Sequence, residues 1–153
     1  MKKSFNLSNW NPGLKQFLFA PNFLTQKTLY NKINKYNKSI NGKILDFGCG
    51  EKPYKDLFDF TEYIGLELYG QKNSRADFIY DGKKIPFNDK EFDSVISFQV
   101  LYQCEDIDFS INQIYRVLKE DGLLLLSLPF IWFDGGDNPE RRFSEIEIKK
   151  FLN

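Results

Sequence analysis

The run Lys43-Ile44-Leu45-Asp46-Phe47-Gly48-Cys49-Gly50 constrains the fold of this chain more than any other segment. A short apolar stretch leads straight into two glycines one residue apart, so the backbone turns sharply and lies bare beside whatever binds there. Such a turn belongs at the carboxyl end of a strand in an α/β sheet, and the rest of the chain supplies that sheet. Strand-length apolar runs recur at residues 62–67, 76–80, 92–97 and 123–128. The last is apolar on both faces, as in a buried parallel sheet. Ile111, Ile114, Tyr115 and Leu118 form an i, i+3, i+4, i+7 helical face that Gly122 is expected to close. Phe23, Tyr30, Ile33, Tyr36 and Ile40 give an earlier amphipathic helix over 21–41, stopped by Gly42. Ser144 with Glu147 makes a capping box that announces a last helix. The interval between the second and third runs is too short for a helix and predicts a loop over 69–75. Alternating strands and helices predict an α/β class: a Rossmann-like, doubly wound, mostly parallel sheet with flanking helices.

At 153 residues the chain fits one domain, read as a basic arm and helix over 1–42 and a core over 43–153. Residues 1–42 hold seven lysines and no acid, so the remainder carries a net charge of minus seven. The Lys-rich helix, with Lys27, Lys32, Lys35 and Lys38, is expected to serve substrate access or partner docking. Histidine is absent. That removes Ser-His-Asp and Cys-His hydrolases, His-ligated metals and any imidazole base. Two cysteines, Cys49 and Cys104, cannot build a disulfide framework or a four-thiolate zinc site, and no metal is expected. No apolar run is long enough to span a bilayer or follows the amino terminus as a signal peptide would, so a cytoplasmic protein is expected.

The Gly-x-Gly turn admits two readings. A nicotinamide dinucleotide fingerprint requires a third glycine three residues after the second. Pro53 stands there, without an amide hydrogen and too bulky for close helix–strand contact. S-adenosylmethionine has no pyrophosphate and tolerates this, with a helix after the turn aiming its amides at the ligand's negative end. Asp46, two residues before Gly48, suits its ammonium and sulfonium. Glu67 closes the second strand 17 residues past Gly50, placed to accept hydrogen bonds from both ribose hydroxyls. Asp81 and Gly82 follow the third strand, where an acid takes the adenine amino hydrogen and the next amide meets a ring nitrogen. Pro86-Phe87 is expected to pack under the fourth strand as a staple.

In this order the pieces resemble a family. Leu45 to Gly50, Tyr63-Ile64-Gly65-Leu66-Glu67, Ile85-Pro86-Phe87 with Phe92-Asp93-Ser94-Val95, and Tyr115-Arg116-Val117-Leu118-Lys119-Glu120-Asp121-Gly122 are similar to class I S-adenosylmethionine-dependent methyltransferases, most of all those with a methyltransferase type 11 domain. The resemblance covers about residues 40–150. It implies S-adenosylmethionine as cofactor, with Asp46, Gly48, Cys49 and Gly50 at the methionine end. Glu67 would then hold the ribose, Asp81 and Gly82 the adenine, and Phe98 and Gln99 the region beside the methyl donor. It also implies methyl transfer to a small-molecule, lipid or glycan-precursor acceptor. Where the family often has a histidine after the fourth strand, Gln103 stands. The Asn-Pro-Pro-Tyr run that marks methylation of nucleic-acid or protein amino nitrogens is absent, so no nucleic acid is expected. A noncatalytic cofactor-binding partner subunit is the first alternative, and an NAD(P)-dependent reductase the second.

Residues 129–137 read as a loop at the carboxyl edge of the sheet, where substrates bind in open α/β folds. Trp132 is a candidate to stack on a substrate, and Arg141 and Arg142 are candidates to hold an anionic group. Asp134, Asp137 and Glu140 are the candidate proton acceptors. Family members usually add an antiparallel hairpin beside the fifth strand. That hairpin is expected to be missing here, leaving the fifth strand at an edge that pairs with a second copy across a two-fold axis.

Overall fold

The computed structural model describes residues 23–128, 143 and 148–150. Seven elements follow in chain order: α1 (Phe23–Tyr36), β1 (Lys43–Phe47), β2 (Glu62–Leu68), β3 (Phe78–Tyr80), β4 (Phe92–Phe98), α2 (Ile107–Val117) and β5 (Leu118–Ser127). The strands form one sheet in the order β3-β2-β1-β4-β5, with every pairing parallel. This is the Rossmann-like arrangement expected. β1 sits at the centre because its residues are apolar on both sides, which a strand covered by two layers requires.

Alternation along the strands sorts side chains into two cores. Leu45, Phe47, Ile64, Leu66 and Val95 pack on one face against Ile111, Ile114 and Val117 of α2. Ile44, Tyr63 and Ile96 pack on the other against Ile33 of α1, with Tyr54 and Phe58. The loop predicted over 69–75 is present and contains no helix. Phe87 stacks edge-on against both Phe78 and Phe92, at 5.0 and 5.1 Å between ring centres, and so forms the expected staple. Arg116 fastens that segment by donating to the carbonyls of Ile85 and Phe87 and to Asp89.

Three expectations are corrected. No α-helix follows the glycine turn; a single 3-10 turn, Lys55–Leu57, occupies the β1–β2 crossover. Pro53 and the left-handed Lys52 before it (φ 56°) interrupt helical geometry at its start. α2 ends at Val117 rather than at Gly122, and Tyr115 is 41% exposed. The amides of Lys90 and Glu91 take the carbonyls of Arg116 and Val117 at 2.8 Å, drawing Leu118 into register with Phe92. The fifth strand therefore starts at Leu118, and a bulge separates that pairing from Ser94↔Leu123. Gly122 serves the bulge, since a Cβ there meets Leu118 at 2.7 Å and the Asp93 carbonyl at 3.0 Å. Finally, α1 stops at Tyr36 and gives way to a 3-10 turn, Asn37–Ser39, before Ile40 enters the core.

The capping box at Ser144 and Glu147 lies outside the described residues, and residues 148–150 are helical. β5 pairs only with β4 among the described residues, and Leu123 on it is 46% exposed. Among the described residues no helix is long and apolar enough to cross a membrane.

Candidate functional site

Two cavities adjoin at the carboxyl ends of β1, β2 and β4. The smaller, about 270 Å³, is lined by Asp46, Gly48, Cys49, Gly50, Phe98 and Gln99, with Leu29 of α1 and Tyr54 at its wall. The larger, about 380 Å³, lies beside Asp81, Gly82, Leu68 and the start of α2. Glu67, Gly48, Gln71, Val100 and Gln103 line both and form the seam between them. All nine residues read as cofactor-binding thus border one continuous region. Together the cavities fall in the size range of small-molecule sites.

The glycine turn sits on β2. The amides of Gly48 and Cys49 both donate to the Leu66 carbonyl, at 2.9 and 3.1 Å, and the Gly50 amide donates to Glu67 Oε2 at 2.8 Å. Three successive donors of the turn are therefore already engaged. Gly48 adopts φ +76°, and a Cβ there would fall 2.3–2.4 Å from the Val100 methyls. Gly50 has φ +48° with nothing within 4 Å of a Cβ, so its bare backbone opens onto space that a ligand can fill.

The polar groups of the region are mostly acidic. Glu67 is only 8% exposed and accepts from Gly50 and from the Leu68 amide, one bond to each oxygen. Asp46, 5% exposed, accepts from the Tyr63 hydroxyl at 2.5 Å. Burial pushes its carboxyl up to about 7, against the opposing pull of Tyr63 and Lys52, while Glu67 and Asp77 push the same way. Burial likewise pushes the Cys49 thiol up to about 12, helped by Asp46 and Glu67, so it is no nucleophile at neutral pH. Asp81 caps its own loop, accepting from the Lys83 amide at 3.0 Å. Gln99 (φ 60°) is pinned to β5 through its amide to the Ser127 carbonyl and its carboxamide to Ser127 Oγ.

The raised Asp46 carboxyl makes folding pH-dependent. It holds a proton up to about pH 7 when folded, against an ordinary value of 3.8. Between those values the native state binds the extra proton, so stability is full below about 4 and is lost as pH rises through 7. Urea unfolding is expected to show Asp46 costing on the order of 2 kcal/mol at pH 8 relative to pH 5. Asp46→Asn should remove this difference, and a variant with the same pH slope as the parent would refute the assignment.

Leu68, Gln71, Val100, Gln103 and Phe109 line the cavities without having been assigned a ligand role from sequence. Gln71 and Leu68 had a readable signal, since they follow the strand-end acid within four residues. Phe109 had none, as its place depends on where α2 begins. Trp132, Asp134, Asp137, Glu140, Arg141 and Arg142 lie outside the described residues. Among the described residues no three His, Cys, Asp or Glu side chains cluster as a metal site would.

Known proteins share this chain's family and fold. The sequence profile of a family described as "Methyltransferase domain" matches residues 45–126. A Bacillus subtilis (strain 168) protein named "Putative methyltransferase YrhH" is 35% identical over 128 residues, covering 72% of this chain and 71% of that one. A crystal structure of a SAM-dependent methyltransferase from Aquifex aeolicus shares the fold at TM-score 0.55 and 18% identity, covering 97% of this chain and 86% of that chain. The [4+2]-cyclase SpnF superimposes at TM-score 0.62 and 19% identity, covering 85% of this chain and 57% of its own. Against several other solved structures the chain spans about half of their length.

Proposed function

Because this chain belongs to the methyltransferase domain family, we propose that its two joined cavities bind S-adenosylmethionine and that it transfers a methyl group to a small-molecule, lipid or glycan-precursor acceptor. The observation that carries the reading is the sign of the site. The amides of Gly48, Cys49 and Gly50 are engaged within the protein, and no α-helix follows the turn, so a dinucleotide's pyrophosphate finds few free donors. Two buried carboxylates, Asp46 and Glu67, instead offer acceptors to a cationic, hydroxyl-bearing ligand.

S-adenosylmethionine, when bound, supplies a methyl group activated by a sulfonium. Asp46, Gly48, Cys49, Gly50, Phe98 and Gln99 would hold its methionine end, with the open face of Gly50 allowing close approach. Glu67, at the seam, would accept from the ribose hydroxyls, and Asp81 and Gly82 would meet the adenine. The acceptor would enter beside Leu29, Tyr54 and Gln99 in the smaller cavity. The protein's contribution is then mainly positioning, which suits a chain without histidine. Calorimetric titration tests the reading. S-adenosylmethionine and S-adenosylhomocysteine should bind and NADH should not, and methyl transfer to metabolite fractions should follow. Binding of NADH alone would overturn it.

A further inference from the structure

Lys52 stands two residues past Gly50 in the left-handed region, at φ 56°, with its side chain only 10% exposed. Its stem lies across Gly65 of β2, where a Cβ would come within 2.3 Å of Lys52 Cε and 2.7 Å of Cys49 Sγ, so a side chain there would displace the lysine. The ammonium meets Asp77 Oδ2 at 2.5 Å and sits 5.9 Å from the centre of the Tyr63 ring, whose hydroxyl is bonded to Asp46. Asp77 Oδ2 also accepts from the Gly65 amide at 2.6 Å. The neighbouring Arg75 amide donates to the Gly50 carbonyl at 2.8 Å, so the β2–β3 loop is tied directly to the glycine turn.

Neither residue lines the two cavities; the pair meets the site through the Tyr63 ring and its bonded partner Asp46. Lys52, Glu67 and Asp77 all act on the Asp46 carboxyl, Lys52 favouring its charge and the two acids opposing it. A lysine so near would repel a cationic ligand if its own charge were free. With Asp77 against it, the pair is neutral and the negative charge of Glu67 prevails, joined by Asp46 above about pH 7. The donor and product of the proposed reaction differ by one charge at sulfur, a sulfonium in one and a thioether in the other. The local field thus sets which of the two the site prefers.

Resting on the cofactor reading above, we propose that the Lys52–Asp77 pair is a specificity device that tunes the site's preference for the sulfonium donor over the neutral thioether product. Asp77 acts through Lys52 and is a positioning residue, not one that touches the reacting atoms. The Asp77→Asn variant keeps an oxygen for the Gly65 amide but releases the lysine charge. Lys52→Met keeps the apolar stem over Gly65 and removes the cation bonded to Asp77, leaving it the Gly65 amide and the more distant Lys55.

The test is the ratio of dissociation constants for S-adenosylmethionine and S-adenosylhomocysteine, measured by calorimetry at low salt. Asp77→Asn should raise this ratio about 4- to 17-fold, the order expected of one released charge acting over roughly 10 to 20 Å at protein-surface dielectric. Lys52→Met should lower it, and the double variant should return it close to the parent value. The Lys52→Met shift should shrink in about 0.5 M salt, because the charge it leaves, on Asp77, is 45% exposed. A merely structural role would weaken both ligands alike and leave the ratio and its salt dependence unmoved. A ratio within twofold of the parent in both single variants overturns the proposal, even with both ligands bound. A parent protein that binds neither ligand overturns the cofactor reading, and this inference with it.

Discussion

Glu67→Ala is expected to weaken S-adenosylmethionine binding by about 2–4 kcal/mol, roughly 30- to 1,000-fold in dissociation constant. Two losses combine. The ribose hydroxyls lose a buried, charged acceptor, and the Gly50 amide loses the partner that ties the glycine turn to β2. Glu67→Gln separates them, since its carboxamide oxygen can still accept from Gly50 while the charge is gone. It should fall between the parent and Glu67→Ala. Isothermal titration reads both, and thermal unfolding should show the fold retained, because the carboxylate closes a strand and is not part of either apolar core. Unchanged affinity in Glu67→Ala would mean that another residue holds the ribose.

The second large effect is expected at Gly48. Gly48→Ala imposes a side chain at φ +76° and drives its Cβ to 2.3 Å from Val100. Left-handed backbone costs an ordinary residue about 1–2 kcal/mol, and overpacking about 1–3 kcal/mol more. A loss of roughly 2–5 kcal/mol in urea unfolding follows. Adding Val100→Ala should return the packing part and not the backbone part. Gly50→Ala is the control, because its Cβ would meet nothing within 4 Å, so at φ +48° it should show the backbone cost of about 1–2 kcal/mol alone while disturbing the ligand. Equal destabilisation by Gly48→Ala and Gly50→Ala would show that Val100 is not the obstacle.

Much of this was legible in the chain because it rested on local pattern. Apolar runs marked the five strands, and the short interval after Glu67 left no room for a helix before β3. The strand-end positions of Asp46, Glu67 and Asp81 followed from where those runs stop. What escaped depends on partners distant in sequence. α2 ends at Val117 because Lys90 and Glu91 claim its last carbonyls, and the local helical face ran on to Leu118 without a sign of this. The glycine turn was read as opening a helix, whereas Lys52 bends there to reach Asp77, 25 residues away. Gly65 looks like an ordinary strand residue in the sequence, and only the fold shows the Lys52 stem and Cys49 Sγ lying where its side chain would be. Gln103 had been noted for the histidine it replaces, and its place at the seam emerged only with the fold.

The central place of β1 bears on how the protein comes to be able to bind at all. β1 pairs with β2 soon after it in the chain, but its other neighbour, β4, arrives about 50 residues later, as in Ile44↔Ser94. Closing that loop sacrifices chain entropy before any contact repays it, and parallel pairings of this separation form slowly. The floor of the smaller cavity has Asp46 on β1 and Phe98 at the end of β4, so it does not exist until that closure is made. During refolding, the helices and the β1–β2 contact can form while the chain is still blind to its ligand. Binding competence arrives with the longest-range pairing, and a ligand present from the outset draws the chain toward the native state only after that step.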